Sequence, residues 1–150
     1  MKINEILSKV LKRRMLASDE KKELVVFREY EKLHVDCFVA TRKAENATVL
    51  GDSYKILNSE NDKFMMLLSD GMGTGTRAAI DSRMATSLTS RLITAGFDFS
   101  PLLKIINTSM MYRSGEESLA TLDIAQINLY SGDVSLYKAG SAPTLIRRQG

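Results

Sequence analysis

An apolar run that ends in an acid and opens onto three closely spaced glycines constrains this chain more than any other feature. Residues 64–68 are apolar, Ser69 and Asp70 follow, and Gly71, Gly73 and Gly75 precede a long helix-like pattern that opens at Ala78. Glycine has no Cβ, so its backbone can approach a ligand closely. A strand that delivers a carboxylate into such a turn suits a charged ligand, either a phosphate or a metal ion.

The phosphate readings fare poorly. A Walker-type loop needs a lysine after its last glycine, whereas Gly75 is followed by Thr76 and Arg77. A dinucleotide fingerprint needs an acid at the end of a second strand, about 20 residues on. Asp98 has roughly that spacing but sits in a loop before another helix. A plain polar turn also fits Ser69-Asp70-Gly71, since Asp-Gly is common in turns. A second acid shifts the balance. Gly51-Asp52-Ser53-Tyr54 closes the preceding strand-like region, and residues 55–63 read as an irregular polar segment. If residues 32–50 pair with 64–69, Asp52 and Asp70 meet at one edge of a sheet. Two adjacent carboxylates repel unless a proton or a cation bridges them. Hard cations such as Mg²⁺ and Mn²⁺ favour oxygen ligands, among them backbone carbonyls like that of Gly71.

Gly51-Asp52-Ser53-Tyr54, Ser69-Asp70-Gly71-Met72-Gly73, Ser118-Leu119-Ala120-Thr121-Leu122-Asp123 and Gly140-Ser141-Ala142-Pro143 occur in this order. The ordered set resembles the PPM-type (protein phosphatase 2C-like) serine/threonine phosphatases. The nearest pattern is the phosphatase domain of the stage II sporulation protein E family. The resemblance implies two Mn²⁺ or Mg²⁺ ions, with Asp52, Asp70 and the Gly71 carbonyl among their ligands. It also implies hydrolysis of phosphoserine or phosphothreonine by metal-activated water, without a phosphoenzyme. Asp52 and Asp70 are then the catalytic acids. The expected substrate is a phosphorylated anti-sigma-factor antagonist. The further metal-binding aspartates of the family have no counterpart before Gly150, so the resemblance implies a C-terminally truncated domain with an incomplete metal site and weak or no activity.

The 150 residues are 44% hydrophobic and 26% charged, which suits one globular domain. A formal charge of +3 is too slight to argue for nucleic acid. No apolar run approaches the roughly 20 residues that span a bilayer. The polar, amphipathic start carries no secretory signal, and the single cysteine, Cys37, excludes an intramolecular disulfide. The cytoplasm, or the cytoplasmic part of a larger membrane protein, is the expected compartment. Cys37, His34 and Asp36 invite a zinc site, but alternation puts His34 and Cys37 on opposite faces and no second ligand cluster exists.

Ile3, Ile6, Leu7, Val10 and Leu11 mark one face of an N-terminal helix. Residues 17–23 read as a polar break, giving a connecting element at 1–23 and the domain at 24–150. Residues 33–39 alternate as a strand. Ile80, Met84, Leu88 and Leu92 mark a helix stripe over 78–95 that Gly96 stops. Ser100-Pro101 starts a second helix. Residues 121–130 and 134–139 form a hairpin about Ser131-Gly132-Asp133, and 143–148 reads as a further strand. Strands in runs and helices in runs predict an α+β fold with antiparallel sheets. The resemblance makes this a PPM-type αββα sandwich, incomplete at its C-terminus. Its helix pair offers a surface for a homodimer. Two other functions compete: a catalytically silent phosphoprotein-binding or dimerisation module, and a nucleotide-binding domain.

Overall fold

In a computed structural model of the chain, structure is described for residues 2–21, 24–43, 45, 48–59, 63–73, 75–114 and 120–148. The elements are α1 (Ile3–Leu11), β1 (Met15–Lys21), β2 (Leu24–Glu29), β3 (Asp52–Ser59), β4 (Lys63–Asp70), α2 (Thr76–Thr94), α3 (Phe99–Ser114), β5 (Leu122–Asn128) and β6 (Val134–Ala139). Strands β3 to β6 form one sheet in chain order, every pair antiparallel, and β1–β2 form a separate two-stranded sheet. The α+β class with antiparallel sheets is as the sequence predicts.

Alternation divides the four-stranded sheet into two chemically different faces. Leu57, Met65, Leu67, Leu122, Ile124 and Tyr137 lie on one face, as the register Leu57↔Met65, Leu67↔Ile124 and Ile124↔Tyr137 requires. Helix α3 packs Leu102, Ile106 and Met110 onto that face, and the core closes around Leu67 and Ile124. Phe99, at the start of α3, stacks on Tyr137 with ring centroids 3.8 Å apart. The opposite face carries Tyr54, Ile56, Leu68, Val134 and Leu136, which stay substantially exposed. Residues 30–43 run past this second face: Cys37 Sγ lies 3.5 Å from Met66 Sδ, and Leu33 and Val35 line a cavity with Asn58 and Phe64.

Helix α2 lies against β3 and β4 and buries Ala78, Ala79, Ser82, Ala85, Thr86 and Thr89. Small side chains let the helix axis come close. Their hydroxyls need no distant partner, since Thr86 and Thr89 donate to the Ser82 and Ala85 carbonyls one turn back. The predicted stripe is therefore displaced. Ile80 is 42% exposed, while Met84, Leu88 and Leu92 flank the core. At the other end Gly96, at φ 83°, closes the helix as expected. The amides of Gly96 and Phe97 donate to the carbonyls of Ile93 and Leu92, the paired bonds of a left-handed C-terminal cap. Helix α3 starts slightly early: Leu102 N–H donates to the Asp98 carbonyl, which places Pro101 inside the first turn.

Several local expectations are corrected. Residues 52–59, read as mostly irregular, form the partner strand of β4, so β4 does not pair with 32–50. Period-two patterning was masked there because the helix-facing positions Ser53, Lys55 and Ser59 are polar while Tyr54 and Ile56 lie on the open face. Residues 33–39 and 143–148 alternate like strands, but among the described residues neither has a neighbouring strand, and an unpaired segment cannot form a ladder. Phe38 and Leu145 are accordingly 91% and 93% exposed. The polar break at 17–23 is instead strand β1 as far as Lys21, because β2 offers it a partner register from Met15↔Glu29 to Lys21↔Leu24. Lys22, Glu23, Ser118, Leu119, Gln149 and Gly150 lie outside the described residues. None of the described helices is long and apolar enough to cross a membrane.

Candidate metal-binding site

The register of one hairpin creates the site. With β3 and β4 antiparallel, Asp52 stands directly opposite Asp70, the last rung of the ladder. Alternation puts both on the sheet face away from the helices. The sequence predicted this meeting, although through a different strand pairing. Directly opposed like charges on neighbouring strands destabilise a sheet, and the cost shows here in the Asp52 carboxyl. Burial raises the Asp52 carboxyl above the usual carboxylate range, and a side-chain hydrogen bond with Asp70 and the Asp70 charge push it the same way.

Beyond this rung the two strands continue as a glycine pair. Gly71 N–H donates to the Gly51 carbonyl at 3.4 Å. A Cβ on Gly51 would stand 3.9 Å from the Gly71 carbonyl oxygen, in ordinary contact. Gly71 has no such freedom, since a Cβ there would sit 2.0 Å from the Ala78 carbonyl oxygen. The glycine that the sequence singled out for its carbonyl is thus also dictated by the first turn of α2, which crosses it. The turn itself uses left-handed backbone at Gly73 and Gly75, with φ of 92° and 83°.

Thr121 fixes the acid. Its Oγ1 accepts from Asp70 N–H at 2.9 Å, and its own N–H donates to the Asp70 carbonyl at 2.8 Å. The buried Ser69 donates from Oγ to the Thr121 carbonyl at 2.6 Å. On the α2 side, Ser53 and Thr86 share a hydroxyl hydrogen bond of 2.9 Å. Strand backbone on both flanks is therefore pinned. Thr121 was visible in the sequence as a motif member, but its positioning role emerges only from the β4–β5 register.

A divalent cation fits this donor set: two facing carboxylates supply oxygen ligands, and a hard cation between them would relieve their repulsion. Among the described residues no third His, Cys, Asp or Glu joins them. Asp123 lies on the same face, two residues along β5 from Thr121, but is paired with Lys138, which also reaches Thr144 Oγ1. His34 and Asp36 pair with each other at 3.2 Å on an exposed segment.

The family model for stage II sporulation protein E (SpoIIE) matches residues 60–150. Stage II sporulation protein E of Priestia megaterium is 34% identical over 114 residues, which is 76% of this chain and 20% of that protein. The chain thus spans about a fifth of that relative's length. The structure of the PP2C phosphatase domain and a fragment of the regulatory domain of SpoIIE from Bacillus subtilis superposes with a TM-score of 0.67. That match has 25% identity and covers 94% of this chain and 49% of the other. RsbX, solved in complex with magnesium, shares the fold with a TM-score of 0.57 at 18% identity, over 84% of this chain and 54% of its own.

Proposed function

The chain belongs to the stage II sporulation protein E family, and from that premise we propose that it forms the larger, N-terminal part of a metal-dependent protein serine/threonine phosphatase domain. By family this is a PPM-type phosphatase. The observation that carries the reading is the Asp52–Asp70 rung, two carboxylates driven together at an open sheet end so that the Asp52 carboxyl is pushed up.

Asp52 and Asp70 hold the cation, Mn²⁺ or Mg²⁺, and the Gly71 carbonyl lies beside them in the same turn. Thr121 fixes the Asp70 backbone and keeps the carboxylate on the rim. When bound, a divalent pair supplies an activated water for direct hydrolysis and neutralises charge on the phosphoryl group. The protein side of such chemistry needs carboxylates and little else, which suits a chain with one histidine and one cysteine. The substrate of this reading is phosphoserine on a small regulatory protein, an anti-sigma-factor antagonist. Its compartment is the cytoplasm, and its helices offer a homodimer surface. Residues 1–23 serve as the connecting element before the domain at 24–150, with the β1–β2 hairpin rather than a linker across the join.

The test is Mn²⁺-dependent hydrolysis of p-nitrophenyl phosphate and of a phosphoserine peptide by the protein that contains this chain. Turnover lost in Asp70→Asn supports the reading. A second reading, a catalytically silent phosphoprotein-binding or dimerisation module, draws on the fact that only two acids meet among the described residues. Tight phosphopeptide binding with no turnover at any metal concentration would decide for it.

A further inference from the structure

The sheet has a second end, and its chemistry is the reverse of the first. Lys63 of β4 pairs with Asn128 of β5, so the β5–β6 turn lies at the rim opposite Asp70. Seven residue steps along β4, at about 3.3 Å each, separate the two by roughly 23 Å. A cavity of about 590 Å³ opens there between the end of α1, the end of β2 and the turn at Ser131. Four lining side chains are cations, Lys12, Arg13, Arg14 and Lys32, against one acid, Glu29. Arg13 already neutralises that acid at 2.9 Å, which leaves three positive charges around one concave volume. Among the described residues Lys12 and Lys32 form no ion pair.

One of these cations is held in place. The Arg14 guanidinium lies 4.3 Å over the Tyr30 ring centroid, and Tyr30 N–H donates to the Arg14 carbonyl at 2.7 Å. Stacking occupies one face of the guanidinium and leaves its in-plane N–H fork for an oxyanion. Lys12 caps α1 at φ 53°, the sole left-handed non-glycine residue among those described, in a position usually given to glycine. We infer that this cleft is a binding site for a phosphate-bearing polyanion, separate from the carboxylate rim. A single carboxylate would answer one of the three charges, whereas a diphosphate answers all three and matches the Arg14 fork. Convergent cations in a concave site also raise the local anion concentration.

The probe is pyrophosphate, titrated into the full chain without divalent cations and followed by the backbone amide signals of Arg14, Tyr30 and Ser131. Saturable shifts are expected, with Kd weakened about tenfold in Arg14→Gln/Lys32→Gln and unchanged in Asp70→Asn. No saturable shift, or equal affinity in the double variant, overturns the site. Because the substituted side chains are exposed, the variant's melting temperature serves as the check that the fold is intact. A second arm uses phosphatidylglycerol and phosphatidylcholine vesicles, since α1 leaves Ile3 and Val10 exposed beside the cleft. Binding to the anionic vesicles that pyrophosphate displaces identifies a lipid headgroup as the source; pyrophosphate binding without vesicle binding identifies a free phosphate compound. The sites also fail separately, because loss of phosphatase activity in Asp70→Asn leaves this titration untouched.

Discussion

At Asp52 and Asp70 the fold works against itself in the absence of a cation. The folded Asp52 carboxyl keeps its proton to a higher pH than it does unfolded. Its contribution is therefore fully present below the unfolded carboxylate range, near pH 4, and is lost as pH rises through the raised folded value. Metal-free Asp70→Asn is expected to be more stable than the parent at pH 7, by roughly the 0.2–1 kcal/mol of a cross-strand charge pair. The gap should close on acidification below about pH 4. Superimposable melting-temperature profiles over that range would contradict the repulsion between the two carboxylates. The glycines next to the pair separate in the same way. Gly71→Ala drives a Cβ into backbone at 2.0 Å and should cost about 3 kcal/mol or more by chemical denaturation. Gly51→Ala meets Ala78 Cβ at 3.7 Å and the Gly71 carbonyl oxygen at 3.9 Å, both ordinary contacts, and should stay within about 1 kcal/mol.

At the scale of elements, α2 explains what a sequence can and cannot disclose. Ile80, Met84, Leu88 and Leu92 repeat every four residues, but a helix turns 3.6 residues per turn. Such a stripe drifts about 40° per step and cannot hold one face. The buried face is built instead from Ala78, Ser82, Ala85 and Thr89, small residues with no hydrophobic signal, selected by how closely the helix must approach Gly71. Ala85→Leu should cost about 1–3 kcal/mol by overpacking, and Ile80→Ser no more than about 0.5 kcal/mol. The reverse ranking in denaturant midpoints would restore the stripe as the core face. By contrast, the Gly96 stop and the hairpin at Ser131-Gly132-Asp133 were legible because each depends on left-handed glycine, a local property.

At the scale of the molecule, the sheet's two ends were not equally legible. The Asp52–Asp70 meeting survives a wrong strand assignment because both acids sit beside glycine turns, where strands end. The basic cleft was hidden, since Lys12, Arg14 and Lys32 come from segments whose proximity depends on the β1–β2 hairpin, read from sequence as a break. Strand-like 33–39 and 143–148 mislead for a related reason: alternation reports a side chain's preference, and a partner strand decides whether a ladder forms. Phe38, Leu145 and Ile146 remain exposed, so the chain alone should bind a hydrophobic dye. Phe38→Ser/Leu145→Ser should reduce that signal with a stability change within about 0.5 kcal/mol. An unchanged dye signal would mean that these side chains are covered in solution.

The account stands most directly on a Mn²⁺ titration of the chain followed by paramagnetic broadening of its backbone amides. The amides of Gly51, Asp52, Asp70 and Gly71 should broaden first and together, and Asp52→Asn or Asp70→Asn should abolish the effect. Broadening centred elsewhere, or persisting unchanged in both variants, would contradict a cation held between these two aspartates.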